Sequence, residues 1–205
     1  MHCSWIFFDV GSTLIDETEA YDVRNREMLH TSTVAPEAFE VRRREFAARG
    51  EDGNASAVRY FGLTRTPWPA ELEKPYDDAA PVLEYLQQKK YLLGIIANQS
   101  PGLETRLEQW GLRDYFTVVV SSAEAGMEKP DPAIFQFALK EAQCPPEQAV
   151  MVGDRLCNDI LPAHELGMQT IWVRRGLSQY QAPAAGKEIA DVITEDLSEL
   201  VTLFS

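Results

Sequence analysis

The sequence has few cysteines, few basic residues and no long apolar run, and each shortage excludes a class of protein. Its 3 cysteines in 205 residues include no C-x-x-C pair, so we expect neither a zinc site nor a disulfide framework. Only 19 Lys and Arg stand against 32 Asp and Glu, a formal net charge of −13, which argues against nucleic-acid partners and a polybasic membrane anchor. No apolar run approaches the ~20 residues that a membrane span requires, so we expect no membrane partner.

The remaining composition is that of a folded protein of the cytoplasm. It is 45% hydrophobic and 25% charged, which excludes wholesale disorder. The segment Met1–Trp5 has no basic region and no cleavage-type sequence, so we expect no signal peptide. Three reduced thiols fit the same compartment, and we therefore expect a cytoplasmic location.

Apolar runs and helical patterns alternate along most of the chain. A continuous apolar run, Trp5–Phe8, opens the sequence, as in a strand that is buried on both faces. Further strands are predicted at 91–97, 116–120, 149–152, 170–173 and from 192, with amphipathic helical segments between them. This alternation predicts an α/β fold, a parallel sheet with helices on both faces.

Residues 17 to 75 follow a different pattern. Thr33–Gly50 is predicted as a helix, with Pro36 near its start and Gly50 able to close its end. The segment 51–54 is predicted as a turn. No run of β-branched residues occurs here, so this stretch is predicted to be a small helical insert within a core formed by 1–16 and 76–205.

Polar residues follow the ends of four predicted strands. Asp9 ends the first strand, Asn98 follows the second, Lys129 comes soon after the third, and Asp154 ends the fourth, with Asp159 close behind. In open parallel sheets, ligands bind outside the carboxyl ends of the strands, so these residues should meet at one mouth. Carboxylates and a lysine together favour Mg²⁺ and a phosphate, because Mg²⁺ prefers oxygen ligands and shares phosphate oxygens.

Four segments resemble, in order, the motifs of the haloacid dehalogenase superfamily. They are Phe7–Leu14, Leu93–Asn98, Glu128–Pro132 and Val152–Asp159. Order and spacing agree over residues 5 to about 173. The helical insert resembles the cap of the subgroup whose cap lies between the first two motifs. The resemblance implies a Rossmann-like core, 1–16 and 76–205, with a helical cap at 17–75.

The resemblance also implies the chemistry of the site. Asp9 would be the nucleophile that takes the phosphoryl group, and Lys129 would neutralise both. Mg²⁺ would be held by Asp9, the backbone carbonyl of Gly11 and Asp154, with support from Asp159. We expect phosphate to be bound by Lys129 together with Ser12, Thr13 and Asn98. The substrate would be a small phosphorylated metabolite.

Two positions depart from the motifs. Phosphatases of the superfamily carry a second aspartate two residues after the nucleophile, where this chain has Gly11. In those enzymes that aspartate is the general acid–base group, which protonates the leaving group and later activates water. Loss of such a group typically costs ~10²–10⁴-fold in rate. Asp16 and Glu17 follow, but we expect side chains so far past the strand end to fall short. We therefore expect Gly11→Asp to raise alkyl phosphatase activity by about 10²-fold, provided that the cap leaves room. Ala97 replaces the usual Ser or Thr of the second motif.

The sequence leaves three hypotheses for the function. The first is a Mg²⁺-dependent phosphatase or phosphoryl-transfer enzyme, and the second is a weak or inactive protein of the same fold that binds or regulates. The third is a haloacid dehalogenase-type hydrolase, since a halide leaves without protonation, although such enzymes need no Mg²⁺. Carbon–phosphorus cleavage in the family requires a cap lysine, and residues 17–73 contain none.

Three further features receive structural interpretations. The run Arg42–Arg44 lies on the predicted cap helix and should form a solvated face. Trp68 should pack within the protein rather than line a substrate pocket. His164 falls within a predicted helix, where we expect no catalytic role.

Overall fold

A computed structural model describes residues 3–182 and 190–205, so residues 1, 2 and 183–189 of the predicted core lie outside the described part. The strands are β1 (Trp5–Phe8), β2 (Ile15–Asp16), β3 (Lys74–Pro75), β4 (Leu92–Ala97), β5 (Val118–Ser121), β6 (Ala149–Gly153), β7 (Gln169–Val173) and β8 (Val192–Thr194). The helices are α1 (Thr18–His30), α2 (Pro36–Ala48), α3 (Gly53–Tyr60), α4 (Ala79–Gln88), α5 (Leu103–Gln109), α6 (Ser122–Ala125), α7 (Pro132–Glu141), α8 (Leu161–Glu165) and α9 (Leu200–Leu203).

A six-stranded sheet forms the centre, in the order β5-β4-β1-β6-β7-β8, and every pairing is parallel. All four residues of β1 are buried. Successive side chains of a strand point to opposite faces, so Ile6 and Phe8 join one core cluster while Trp5 and Phe7 join the other. The predicted fold, a parallel sheet covered on both faces, is confirmed.

The helices divide between the two faces of the sheet. Buried residues of α4 and α5 pack in the cluster that contains Ile6 and Phe8, and those of α7 and α8 pack in the cluster that contains Trp5 and Phe7. Helix α7 begins as its sequence predicts, because Asp131 accepts a hydrogen bond from the Ala133 backbone N–H at 2.9 Å and Pro132 occupies the first turn. The helices therefore leave the carboxyl ends of the strands open to the insert.

Residues 17–75 hold three helices that pack around their own small cluster. Helices α1, α2 and α3 supply its buried residues: Met28, Phe39, Ala57 and Val58. The turn predicted at 51–54 is wrong in its second half, since α3 starts at Gly53. There the Asp52 carboxylate accepts the Ala55 N–H at 2.9 Å and caps the helix.

The short strands β2 and β3 lie at the two ends of this insert. They pair antiparallel, Ile15 with Pro75 and Asp16 with Lys74. The predicted division at 17 and 75 coincides with this two-residue ladder, which supports it as our proposal for the domain boundary. None of the described helices is long and apolar enough to cross a membrane.

Candidate active site

Three carboxylates meet where β1 and β6 end, side by side in the sheet. One oxygen each of Asp9, Asp154 and Asp159 lies within 4.8 Å of the others. All three residues are buried. Neighbouring parallel strands bring Asp9 and Asp154 to the same edge, as the sequence predicts. Such crowding of acidic groups away from water is unfavourable unless cations accompany them.

Lys129 supplies one of these positive charges. Its Nζ donates to Asp9 Oδ1 and Asp159 Oδ1, both at 2.6 Å, and to the carbonyl of Ile96 at 2.9 Å. The residue is only 3% exposed. Burial alone would lower the pKa of Lys129, but the charges of Asp159 and Asp9 outweigh it and raise that pKa. The ammonium is therefore fixed as a cation between two carboxylates.

Asn98 holds the backbone that carries this lysine. Its Nδ2 donates to the Lys129 carbonyl and its Oδ1 accepts the Lys129 N–H, each at 2.8 Å. The amino group and the oxygen of the Asn98 amide thus both form hydrogen bonds with the main chain of Lys129. The structure brings Asn98 to the site, but in contact with Lys129, and this arrangement favours a positioning role over the phosphate contact expected from the sequence.

Asp159 is engaged at both oxygens. Oδ1 accepts from Lys129, and Oδ2 accepts the Arg155 N–H at 2.9 Å. The aspartate stands in a π-helical turn, Leu156–Ile160, which begins shortly after β6. A Cβ on Gly153 would lie 2.5 Å from Cβ of Asp159, so only glycine permits this approach. Asp159 is therefore placed to hold Lys129.

Asp154 differs from Asp159 at one of its oxygens. Its Oδ1 is buried without a hydrogen bond among the described residues. Burial and the charges of Asp159 and Asp9 raise the pKa of Asp154 well above its usual value. A buried carboxylate oxygen with no donor, next to a second carboxylate, fits a cation that coordinates oxygen. The residues present therefore fit Mg²⁺.

The turn after Asp9 carries the next predicted residues. Ser12 adopts a left-handed conformation, φ 55°, and its N–H donates to the Ile15 carbonyl at 2.8 Å. Thr13 is fully buried with no partner for its hydroxyl among the described residues, and its carbonyl accepts from Arg175 at 3.1 Å. Ser12 lines the cavity described below, whereas Thr13 does not.

One expectation about this turn is wrong: the side chain of Glu17 does reach the site. A Cβ on Gly11 would lie 2.9 Å from each carboxylate oxygen of Glu17. The Ser12 hydroxyl donates to Glu17 Oε2 at 3.3 Å. Burial, and then the negative charges of Asp9 and Glu73, raise the pKa of Glu17 to about 8. The Glu17 carboxylate is the end of a flexible side chain, so Gly11→Asp would have to displace it rather than fill an empty space.

Asp16 behaves as expected and stays away. Its Oδ1 accepts the Thr18 N–H at 2.9 Å, at the start of α1. Glu17 stands at the N-cap of the same helix, but its side chain forms no cap hydrogen bond. Two adjacent acidic residues thus have different uses, and only the second faces Gly11.

A cavity of about 650 Å³ lies between the insert and the core. The core lines it with Ser12, Asp154 and Arg155, among other residues. From the insert, Arg43 and Arg44 also line it, which the sequence did not indicate. The solvated face expected for the arginine run is wrong for Arg43, whose side chain is 13% exposed and binds Glu40 at 2.7 Å.

Two other interpretations concern residues outside the cavity. Trp68 does not line it, and packs edge-on to Tyr21, with ring centres 4.8 Å apart, while its Nε1 donates to Glu73 at 2.7 Å. The expected packing role of Trp68 is confirmed. His164 lies in α8 and is exposed, among none of the residues described above.

Comparisons with known proteins give consistent results. The family model described as haloacid dehalogenase-like hydrolase matches residues 55–173. A glyceraldehyde 3-phosphate phosphatase of Methanothermobacter thermautotrophicus is 30% identical, over 95% of this chain and 96% of that protein. The structure of a phosphatase from Thermococcus onnurineus is similar with a TM-score of 0.66 and 26% identity, over 100% of this chain and 98% of that one. A 2-haloacid dehalogenase from Pseudomonas syringae shares the fold, with a TM-score of 0.62 and 22% identity, over 98% of each chain.

Proposed function

The chain belongs to the haloacid dehalogenase-like hydrolases and is a hydrolase of the phosphatase type, and on this premise we propose that it is a Mg²⁺-dependent phosphatase in which Asp9 carries the phosphoryl group. The observation that supports this most directly is the Lys129 ammonium, 2.6 Å from Asp9, beside the unpartnered Asp154 oxygen. A nucleophilic carboxylate held by cations suits a reaction that transfers a charged group.

In the first step, a carboxylate oxygen of Asp9 forms a bond to phosphorus while the bond from phosphorus to the leaving oxygen breaks. In the second, water attacks the same phosphorus and the Asp9–phosphorus bond breaks, which restores the carboxylate. Splitting one displacement into two lowers each barrier. Lys129 stabilises the charge on Asp9 and on the transferring group, and Asp159 and Asn98 hold Lys129 in position.

Mg²⁺ would be held by Asp9, Asp154 and the carbonyl of Gly11. When bound, it supplies positive charge that polarises the phosphoryl oxygens. Lys129 and the ion together would balance the negative charges that Asp9, Asp154 and Asp159 bring to one mouth. The oxygens of Asp159 are already engaged, so we assign it to Lys129 rather than to direct coordination.

The substrate we propose is a small phosphate ester. The cavity of about 650 Å³ holds a molecule of metabolite size. The relative from Methanothermobacter thermautotrophicus is named for glyceraldehyde 3-phosphate, which is therefore the first compound to test. We also propose the cytoplasm as the location, which the three free cysteines support.

The test is release of inorganic phosphate from a panel of esters, with Mg²⁺ and with EDTA. The panel contains glyceraldehyde 3-phosphate, glycerol 3-phosphate and p-nitrophenyl phosphate. We expect turnover that requires Mg²⁺. The two alternative functions give different results: a dehalogenase releases halide from 2-chloropropionate in EDTA, and a binding protein turns over none of these compounds. Either result would overturn the proposal.

Asp154→Asn should abolish Mg²⁺ binding without lowering the stability of the metal-free protein. In the wild-type protein we expect Mg²⁺ to raise the melting temperature, because a ligand that binds only the folded state stabilises it. In Asp154→Asn that rise should disappear. The metal-free variant should melt no lower than the metal-free wild type, because the substitution removes a buried carboxylate whose Oδ1 has no hydrogen-bond donor among the described residues. Differential scanning calorimetry in EDTA and in Mg²⁺ measures both.

Asp77→Asn is the matched control, since it removes an exposed carboxylate outside the site. It should melt like the wild type under both conditions. An Asp154→Asn variant that still gains the full Mg²⁺-dependent stabilisation would contradict the proposed metal site.

A further inference from the structure

The carboxyl group of Glu17 occupies the space beside Gly11 where a side chain at residue 11 would begin. Both carboxylate oxygens lie 2.9 Å from the position of a Cβ on Gly11. Any glycine leaves such a space, but here another residue fills it with an acidic group. The space adjoins the turn that leaves Asp9, so the group beside Gly11 is a close neighbour of the reacting carboxylate.

Glu17 has no structural task that explains this placement. It stands at the N-cap of α1 without capping the helix. Among residues 3–182 and 190–205, its side chain accepts one hydrogen bond, from the Ser12 hydroxyl at 3.3 Å, and no lysine or arginine forms an ion pair with it. Ser12 in turn lines the cavity. The negative charges of Asp9 and Glu73 disfavour an ionised carboxylate at this position, so the placement costs stability and points to a role in the reaction.

The proposed reaction needs a group that moves a proton, and four other charged groups of this part of the site have contacts or assignments of their own. All three proton positions of the Lys129 ammonium are used. Both oxygens of Asp159 accept hydrogen bonds from protein donors. Asp154 is assigned to the metal, and Asp16 caps α1. Asp22, Glu51 and Asp52 line the cavity from the insert, but the three atoms nearest to a Cβ on Gly11 all belong to Glu17.

We propose that Glu17 is the general acid–base residue of this chain, an inference that rests on the phosphatase function proposed above. As the bond from phosphorus to the leaving oxygen breaks, the Glu17 carboxyl gives its proton to that oxygen and becomes a carboxylate. When water attacks the phosphoryl group on Asp9, Glu17 takes the proton from the water. The released products are an alcohol and inorganic phosphate, and both side chains return to their starting states.

The leaving group distinguishes this role from a structural one. An alkoxide leaves poorly without a proton, whereas p-nitrophenolate needs none. In Glu17→Gln, we expect kcat for glycerol 3-phosphate to fall by between about 10²- and 10⁴-fold. With p-nitrophenyl phosphate, the first step should survive and the second should be slow. The variant should therefore release one p-nitrophenolate per active site in a burst, followed by slow turnover, with phosphoryl-enzyme visible by intact-protein mass spectrometry.

Asp16→Asn is the matched control, the same kind of substitution at the preceding residue, where asparagine can also cap the helix. It should keep wild-type rates with both substrates. Glu17→Gln should keep the Mg²⁺-dependent rise in melting temperature, which reports an intact site without reference to activity.

A rescue variant tests the shared space directly. Gly11→Asp alone would displace the Glu17 carboxylate from this space. Because it replaces one acidic group there with another, it should not improve the wild type. Glu17→Ala empties that space, so the double variant Gly11→Asp/Glu17→Ala should recover at least about tenfold of the glycerol 3-phosphate activity that Glu17→Ala loses, within the range that general acid–base catalysis supplies.

The possible outcomes distinguish a failure of the Glu17 assignment from a failure of the phosphatase proposal. If the wild type is active, Asp9→Asn is inactive and Glu17→Gln keeps its rate with glycerol 3-phosphate, the assignment of Glu17 is wrong and the phosphatase mechanism stands. An equal loss with both substrates and no burst also overturns the acid–base role. If the wild type hydrolyses neither phosphate in Mg²⁺, both proposals fall together.

Discussion

Asp9→Asn is expected to reduce phosphate release by a factor on the order of 10⁴–10⁶, the range seen when single members of a catalytic triad are removed. The amide has no negative charge with which to attack phosphorus, and it would offer Lys129 a neutral partner in place of the carboxylate now 2.6 Å away. Steady-state assays with p-nitrophenyl phosphate give the rate. Intact-protein mass spectrometry during turnover should detect a phosphoryl adduct in the wild type and none in the variant.

The control for Asp9→Asn is again Asp77→Asn, which should lose less than about twofold. Because asparagine is nearly isosteric with aspartate, Asp9→Asn should fold and give an unchanged far-ultraviolet spectrum. A folded Asp9→Asn protein with more than a tenth of the wild-type activity would show that another group attacks phosphorus.

Lys129→Met should have the largest effect on stability. The lysine joins two buried carboxylates, and its side chain is only 2% exposed. Removing one partner of a buried ion pair leaves the other charge uncompensated and typically costs about 3–5 kcal/mol. Urea denaturation in EDTA should therefore give a free energy of unfolding lower by about that amount. Activity should fall by at least about 10²-fold, since a charge next to the transferring group is lost.

Lys140→Met is the comparison for this variant, because Lys140 is exposed near the end of α7. Surface substitutions usually change stability by no more than about 0.5 kcal/mol. If Lys129→Met unfolds with the same free energy as Lys140→Met, the network around Lys129 contributes nothing to stability and its arrangement has only a chemical purpose.

The central sheet could be predicted because the sequences of its strands fit few other environments. The run Trp5–Phe8 is apolar at every position, which suits only a strand covered on both faces. The approach of Asp9 to Asp154 follows from the same reasoning, since parallel strands end at one edge. The helices of the insert were harder to predict. The start of α3 depends on a side-chain cap from Asp52, and the residues around Asp52 have the composition of a turn.

The contacts that complete the site depend on geometry that no spacing reveals. Glu17 reaches Gly11 because the chain reverses between them, with Ser12 in a left-handed conformation and its N–H bonded to Ile15. An amide such as Asn98 can bind a ligand or a backbone, and only its neighbours decide which. Arg43 lines the cavity because of the way that α2 is oriented, and the sequence pattern of one helix does not specify its orientation toward the core.

The ladder between β2 and β3 has a consequence for how such enzymes diversify. Paired strands lie about 5 Å apart, so the chain enters the insert after Asp16 and leaves it at Lys74 through nearly the same point. An insert attached in this way can be lengthened, shortened or exchanged without changing the spacing of Asp9 from Lys129 and Asp154. Evolution can therefore alter what enters the cavity and leave the reacting atoms where they are, provided that the first residue after the ladder, Glu17, is kept.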